Sequence, residues 1–168
     1  TWNKVNEATA NLNVTCMVQT TDNAIYAGTG ENNVSQGKGL FVSTDGNNFS
    51  LVAGTSPTTV GTVTEWGYIN ELATNSQGVV FAATNSGLKY KNQGSADWNT
   101  AKYLDGTGAS LPLSGFVWDV KVAKDGMIVA SVDGKCYITT GDLNSFVCQS
   151  TKEIVGTDTL NPDKLPAT

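Results

Sequence analysis

The chain contains no histidine, and its ten basic residues are all lysine, so arginine is missing as well. Without an imidazole there is no His-dependent catalytic triad and no histidine metal site. Without arginine, and with a formal net charge of −5, the chain is a poor partner for phosphate backbones, whose tight binding is largely neutralisation by Lys and Arg. Nucleic acid is therefore set aside. No apolar run approaches the ~18 residues of a membrane span, and no basic-then-apolar leader opens the chain. A start at Thr1 rather than Met reads as a processed or excised product. Cysteine is also scarce: three residues, an odd number, make no disulfide framework and leave the redox compartment open.

Charged residues make up only 15% of the 168 residues, and Ala, Leu, Glu and Lys are too few for a helical bundle. Glycine is plentiful, with 18 residues, beside many Thr and Asn. That balance points to an all-β chain. Gly28-Thr29-Gly30 and Gly106-Thr107-Gly108 are not followed by the Lys-Ser/Thr and helix of a phosphate loop, so they read as turns. No cofactor and no metal is implied.

The main signal is repetition. Ile25-Tyr26-Ala27-Gly28-Thr29, Val80-Phe81-Ala82-Ala83-Thr84 and Ile128-Val129-Ala130-Ser131-Val132 superimpose without gaps, and an apolar segment begins 11 residues before each, at Val14, Ile69 and Val117. Between the paired segments lie Asp22-Asn23, Gln77-Gly78 and Asp125-Gly126, residue types that tolerate the positive φ of tight hairpins. A third segment in each copy is led by Gly39, Gly87 or Gly134, and a fourth starts at an aromatic, Phe49, Trp98 or Phe146. With Trp2 these aromatics are separated by 47, 49 and 48 residues.

Four strands per repeat of this length are the pattern of a β-propeller blade. The expected fold is thus all-β, a partial propeller in one domain, 1–168. Its parts are an outer strand of a closing blade at 1–5, blades at 13–52, 68–101 and 117–149, and a connection at 150–168 toward a missing blade. A ring typically needs about four to eight blades, so the remaining ones are expected from the same longer chain or from another chain.

Ser43-Thr44-Asp45-Gly46 followed by Phe49 resembles the Asp-box of BNR repeats, Ser-x-Asp-x-Gly-x-x-Trp, found in sortilin-like, sialidase-like and xyloglucanase-like propellers. It is one residue short and has Phe for Trp. The other two copies keep the aromatic and lose the Ser and Asp. The resemblance implies a turn in which Ser43 and Asp45 bond backbone groups, Gly46 permits the unusual φ, and Phe49 fills the space between blades. Ile25 to Glu31 leading into Gly37-Lys38-Gly39-Leu40 is similar to the first blade of large secreted bacterial proteins of this class, many from the Bacteroidetes. It implies a secreted or cell-surface location. A sialidase site would need an arginine cluster, which is absent.

In the usual blade order the long links gather on one rim: Gly30 to Lys38, Ala53 to Tyr68, Lys102 to Phe116 and the tail. Long loops on a rigid scaffold are where binding concentrates. This rim carries Glu31, Asn32, Asn33, Trp66, Tyr68, Tyr103 and Trp118, rings beside polar groups that suit a glycan or protein ligand. From the residues alone a second reading stands, in which the rings pack at strand entrances. Glu31, Glu65 and Asp105 are the acid and base candidates if the chain belongs to a glycoside hydrolase, which needs two carboxylates roughly 5 to 9.5 Å apart. Cys136 and Cys148 flank the hairpin around Asp142 almost symmetrically. They are either a cross-strand disulfide or two reduced thiols, and Cys16, on an innermost strand, reads as a core thiol.

Overall fold

The computed structural model describes residues 12–30 and 36–149. The expected outer strand from Trp2 to Val5, the rim residues Glu31, Asn32 and Asn33, and the connection 150–168 lie outside the described residues. Among those described, every regular element is a strand.

Sheet one has the order β1-β2-β3-β4, from Val14–Gln19, Ile25–Thr29, Leu40–Ser43 and Ser50–Leu51. A small hairpin follows, β5 (Thr58–Val60) with β6 (Val63–Glu65). Sheet two is again a meander, β7 (Ile69–Thr74), β8 (Val80–Thr84), β9 (Gly87–Lys91) and β10 (Asn99–Thr100). Then come β11 (Lys102–Leu104) and β12 (Ser110–Pro112), followed by β13 (Val117–Val122), β14 (Ile128–Val132), β15 (Lys135–Thr139) and β16 (Phe146–Cys148). These last six form one sheet, because β11 pairs parallel with the outer edge of β16. The sheets are otherwise antiparallel, and none is closed.

The first strands of the three meanders lie side by side, β7 between β1 and β13. Each carries a bulge at the same place, between Val14 and Cys16, Ile69 and Glu71, and Val117 and Asp119. The residue at the bulge reaches the next sheet: the Thr15 hydroxyl donates to the Ile69 carbonyl, and the Asn70 amide donates to the Val117 carbonyl at 2.6 Å.

Strand periodicity places the core between sheets rather than on one side of them. All five residues of β8 are buried. Val80 and Ala82 join Tyr26, Leu40, Val52, Ile69 and Leu72 against sheet one, while Phe81 and Ala83 join Leu88, Val120, Ile128, Ala130 and Phe146 against sheet three. The aromatic that opens each fourth segment packs backward: Phe146 lies between sheets two and three, Trp98 between sheets one and two, and Phe49 with Ala27 and Phe41 on the far face of sheet one. Gly28 is required by close approach, since a Cβ there would stand 2.6 Å from both Cys16 Sγ and Ile69 Cγ2.

The hairpin turns match their residue types, with φ of 66° at Asn23, 72° at Gly78 and 88° at Gly126. In the turn after β3, Ser43 Oγ accepts from Gly46 N at 2.9 Å, and Asp45 Oδ1 accepts from Asn47 N at 2.8 Å and Asn48 N at 2.7 Å. The hydrogen bonds of Asn48, Asn47 and Ser43 hold the Asp45 carboxyl well below the usual carboxylate range.

Three expectations are corrected and one open alternative is decided. The link from Lys102 to Phe116 is largely the β11–β12 hairpin, because the outer edge of β16 offers unpaired backbone groups that β11 satisfies. The link from Ala53 to Tyr68 holds the β5–β6 hairpin. Gly134 sits one register position before Gly87: Thr84 pairs with Gly87, whereas its equivalent Val132 pairs with Lys135. Asp133 (φ 47°) and Gly134 (φ 75°) form a two-residue turn of the type that demands positive φ at both positions. Finally, Cys148 pairs across the ladder with Tyr137, one residue away from Cys136. Adjacent residues point to opposite faces, so no disulfide joins Cys136 and Cys148.

Truncating Phe146, which is fully buried, to Ala is expected to cost ~3–5 kcal/mol of stability, and Gly28→Ala is expected to destabilise by forcing sheets one and two apart. Denaturant titration of each variant measures both effects. Asp45 has a lowered folded pKa, so its contribution is complete above the ordinary value of 3.8 and is lost as pH falls below it. Asp45→Asn should accordingly show a shallower loss of melting temperature on acidification than the parent.

Candidate functional site

The link between sheets one and two ends in a turn that sets two rim residues against sheet two. Gly67 N bonds the Thr64 carbonyl at 3.2 Å and the Gly67 carbonyl accepts from Gly37 N at 2.8 Å, which fixes Trp66 in a left-handed conformation, φ 58°. That φ is rare for a bulky side chain. Its indole is buried and meets Trp98 edge to face, with centroids 5.0 Å apart and planes at 72°.

Beside the two rings lies Lys89. Its side chain is 11% exposed, it donates to Thr100 Oγ1 at 3.0 Å, and its Nζ is 3.8 Å from Glu65 Oε1. Burial pulls the Lys89 ammonium below the ordinary lysine pKa, and the neighbouring Glu65 offsets this in part. The indole N–H of Trp98 is buried and has no acceptor. Together Glu65, Trp66, Lys89, Trp98 and Thr100 line a cleft of 500 Å³.

Lys89 was not among the residues expected at a site, although the sequence holds its signal. Ala27 pairs with Phe41, Ala82 with Lys89 and Ala130 with Tyr137. The lysine therefore replaces an aromatic in an apolar column of the repeat. The slip at Gly134 hides that column when the copies are aligned by their glycines.

The other expected residues are not gathered here. Tyr103 packs edge to face on Tyr137 at 5.3 Å, on the outer part of sheet three. Asp105 accepts from Thr107 N, Thr107 Oγ1 and Ala109 N at 2.7 to 2.9 Å, bonds within its own turn that lower its pKa, the Thr107 hydroxyl contributing most. Tyr68 is half-buried, and its carbonyl accepts from Asn85 N. Trp118 is 55% exposed and lies against Phe116 with ring centroids 4.4 Å apart. It stands at the mouth of the three adjacent first strands, where Asn13, Val14, Thr15 and Asn70 complete a hollow of 480 Å³.

A larger cleft of 710 Å³ lies between the hairpin turns of sheets two and three. Its polar groups serve the turns themselves: Asn75 Oδ1 accepts from Gln77 N and Val79 N, and Asp125 Oδ1 accepts from Met127 N. It has no aromatic wall. Volume alone therefore does not make it the better site. Among the described residues no cluster of three or more His, Cys, Asp or Glu side chains could hold a metal ion, and no helix is long and apolar enough to cross a membrane.

No protein-family model and no curated protein matches the chain. Among solved structures, the chain is similar to the extracellular domain assigned to a one-component system of B. thetaiotaomicron, with a TM-score of 0.56 and 15% identity. The match covers 82% of this chain and 17% of that one. It shows a shared fold.

Burial gives Lys89 a lower affinity for its proton in the folded chain than in the unfolded one. The unfolded state then binds more protons as pH approaches the ordinary value of 10.5, and stability rises with pH through that window. Lys89→Met removes both the buried charge and this rise. The variant is expected to be more stable than the parent at neutral pH, with the gap narrowing toward pH 10.5, as read from urea midpoints at the two pH values.

Proposed function

We propose that the chain is a segment of an Asp-box-type β-propeller that acts outside the cell as a non-catalytic binding module, presenting its loop rim to a glycan or protein ligand. The three meanders are its blades. Further blades, from the same longer chain or from another, cover the open faces on either side, where Met17 is 56% exposed and Val147 46%. Adjacent first strands with a bulge at one common position support the radial arrangement, and the likeness to an extracellular domain supports the location.

The observation that carries the binding reading is how the rim divides its side chains. Among the described rim residues, Asp105 is engaged by its own turn and Glu65 is charge-paired with Lys89 at 3.8 Å, while a ring as large as Trp118 stays exposed. A general acid for glycoside cleavage needs a raised pKa, whereas that of Asp105 is lowered. The hydrolase reading, with Glu31, Glu65 or Asp105 as acid and base, has no such support.

Titration of the chain with a panel of soluble β-glucans and other glycans, alongside a reducing-end assay, is expected to show binding without turnover. Trp118→Ala should weaken that binding several-fold with the melting temperature unchanged. Turnover by the parent that disappears in Glu65→Ala or Asp105→Ala would replace the binding reading with the hydrolase.

A further inference from the structure

We infer that the cleft formed by Glu65, Trp66, Lys89, Trp98 and Thr100 is a subsite for a neutral pyranose, holding two neighbouring hydroxyls between Lys89 and Glu65 with the sugar ring against Trp98. This rests on the extracellular binding reading and adds to it a location, away from the mouth that holds Trp118, and a ligand class.

The polar pair is the first support. At 3.8 Å, Lys89 Nζ and Glu65 Oε1 attract one another without a hydrogen bond. The ammonium has three protons, and its hydrogen bond in the fold goes to Thr100 Oγ1. A strong donor and a strong acceptor thus stand side by side, each with capacity left. A hydroxyl both donates and accepts, so adjacent hydroxyls of a sugar satisfy both partners at once.

The walls supply the second support. Trp98 is half-buried and is braced by the strained Trp66, so its ring is held in place without the ligand. The C–H face of a pyranose stacks on such a ring.

Charge selects against other ligands. Glu65 and Asp97 both line the cleft with Lys89, on a chain with net charge −5. An acidic ligand is repelled, and a cation meets Lys89 inside. A neutral polyol remains. The equivalent positions, Phe41 and Tyr137, show that the fold accepts an aromatic in place of this lysine, whose side chain is only 11% exposed while its partner Glu65 is 41% exposed. A ligand contact gives the ammonium a reason to be there.

The test is tryptophan fluorescence and calorimetric titration of the full chain with methyl β-D-glucopyranoside, gluco- and galacto-oligosaccharides, and glucuronate. The parent is compared with Lys89→Met, Glu65→Gln, Trp98→Ala and Trp118→Ala. Support is sugar binding that falls at least tenfold in Lys89→Met and Glu65→Gln while their unfolding midpoints hold or rise, with neutral sugars bound more tightly than glucuronate. Sugar binding lost in Trp118→Ala but unchanged in Lys89→Met and Glu65→Gln overturns the subsite and leaves the rim reading standing. Capture of a protein ligand with no sugar bound also overturns it, again leaving the extracellular binding reading intact. A preference for glucuronate overturns the choice of a neutral ligand.

Discussion

The structure depends on one packing constraint: the middle sheet buries both of its faces, one against each neighbouring sheet. Strand β8 shows this directly, because its alternate residues enter two different cores and none reaches solvent. A chain of 168 residues with 39% apolar content meets this demand by repeating one meander, so that the front of one sheet is shaped for the back of the previous one. Small residues recur where the sheets come closest, as at Gly28 and Ala83, which occupy the same position in successive copies. The large aromatic of each fourth segment then packs on the same side of its sheet, Trp98 and Phe146 against the preceding sheet and Phe49 against Ala27 and Phe41.

That constraint also explains which polar groups stand out. Most buried polar side chains serve the backbone: the Thr29 hydroxyl donates to the Gly39 carbonyl at 2.6 Å, and the Thr84 hydroxyl does the same to Gly87 at 2.7 Å. These are local repairs at the close of a turn. Cys16 behaves as an apolar residue, its thiol pushed up to about 11 chiefly by burial. Lys89 differs from all of these. It places a charge in an inter-sheet surface where both other copies place a ring, and its nearest carboxylate comes from a link outside the sheets.

Much of the architecture was legible because strand pairing leaves a gapless imprint on the repeat. The spacing from Val14 to Ile25 and its equivalents marked the hairpins, and the Asn and Gly residues between them marked their turns. What could not be read is pairing that depends on vacant edges. Nothing local in Lys102 to Leu104 announces a strand; β11 forms because β16 lies beside it with free backbone groups. The cysteine register failed for a related reason. Symmetry about Asp142 fixes the middle of a hairpin only to within one residue, and one residue is enough to turn a side chain to the other face. Of the residues that line the proposed cleft, Glu65 and Trp66 stood out on their link in the sequence, but the column containing Lys89 was hidden by the displaced glycine at 134.

The displaced glycine and the hidden lysine together make one junction of the repeat unlike the next. Identical meanders would stack indefinitely and present the same polar edge at every junction. Here the junction between sheets one and two differs from the next in two respects, a Lys in the apolar column and a hairpin-bearing link long enough to bring Glu65 and Trp66 over it. At the junction between sheets two and three the corresponding position is Tyr137, and the link there, instead of forming a lip, is consumed as β11 and β12 at the edge of the sheet. With Tyr103 packed on Tyr137, rings fill that junction on the side of its link, and its cleft lies instead between the hairpin turns. The same scaffold therefore opens its two junctions at different places, and on the link side the difference is set by where the linking chain finds backbone partners.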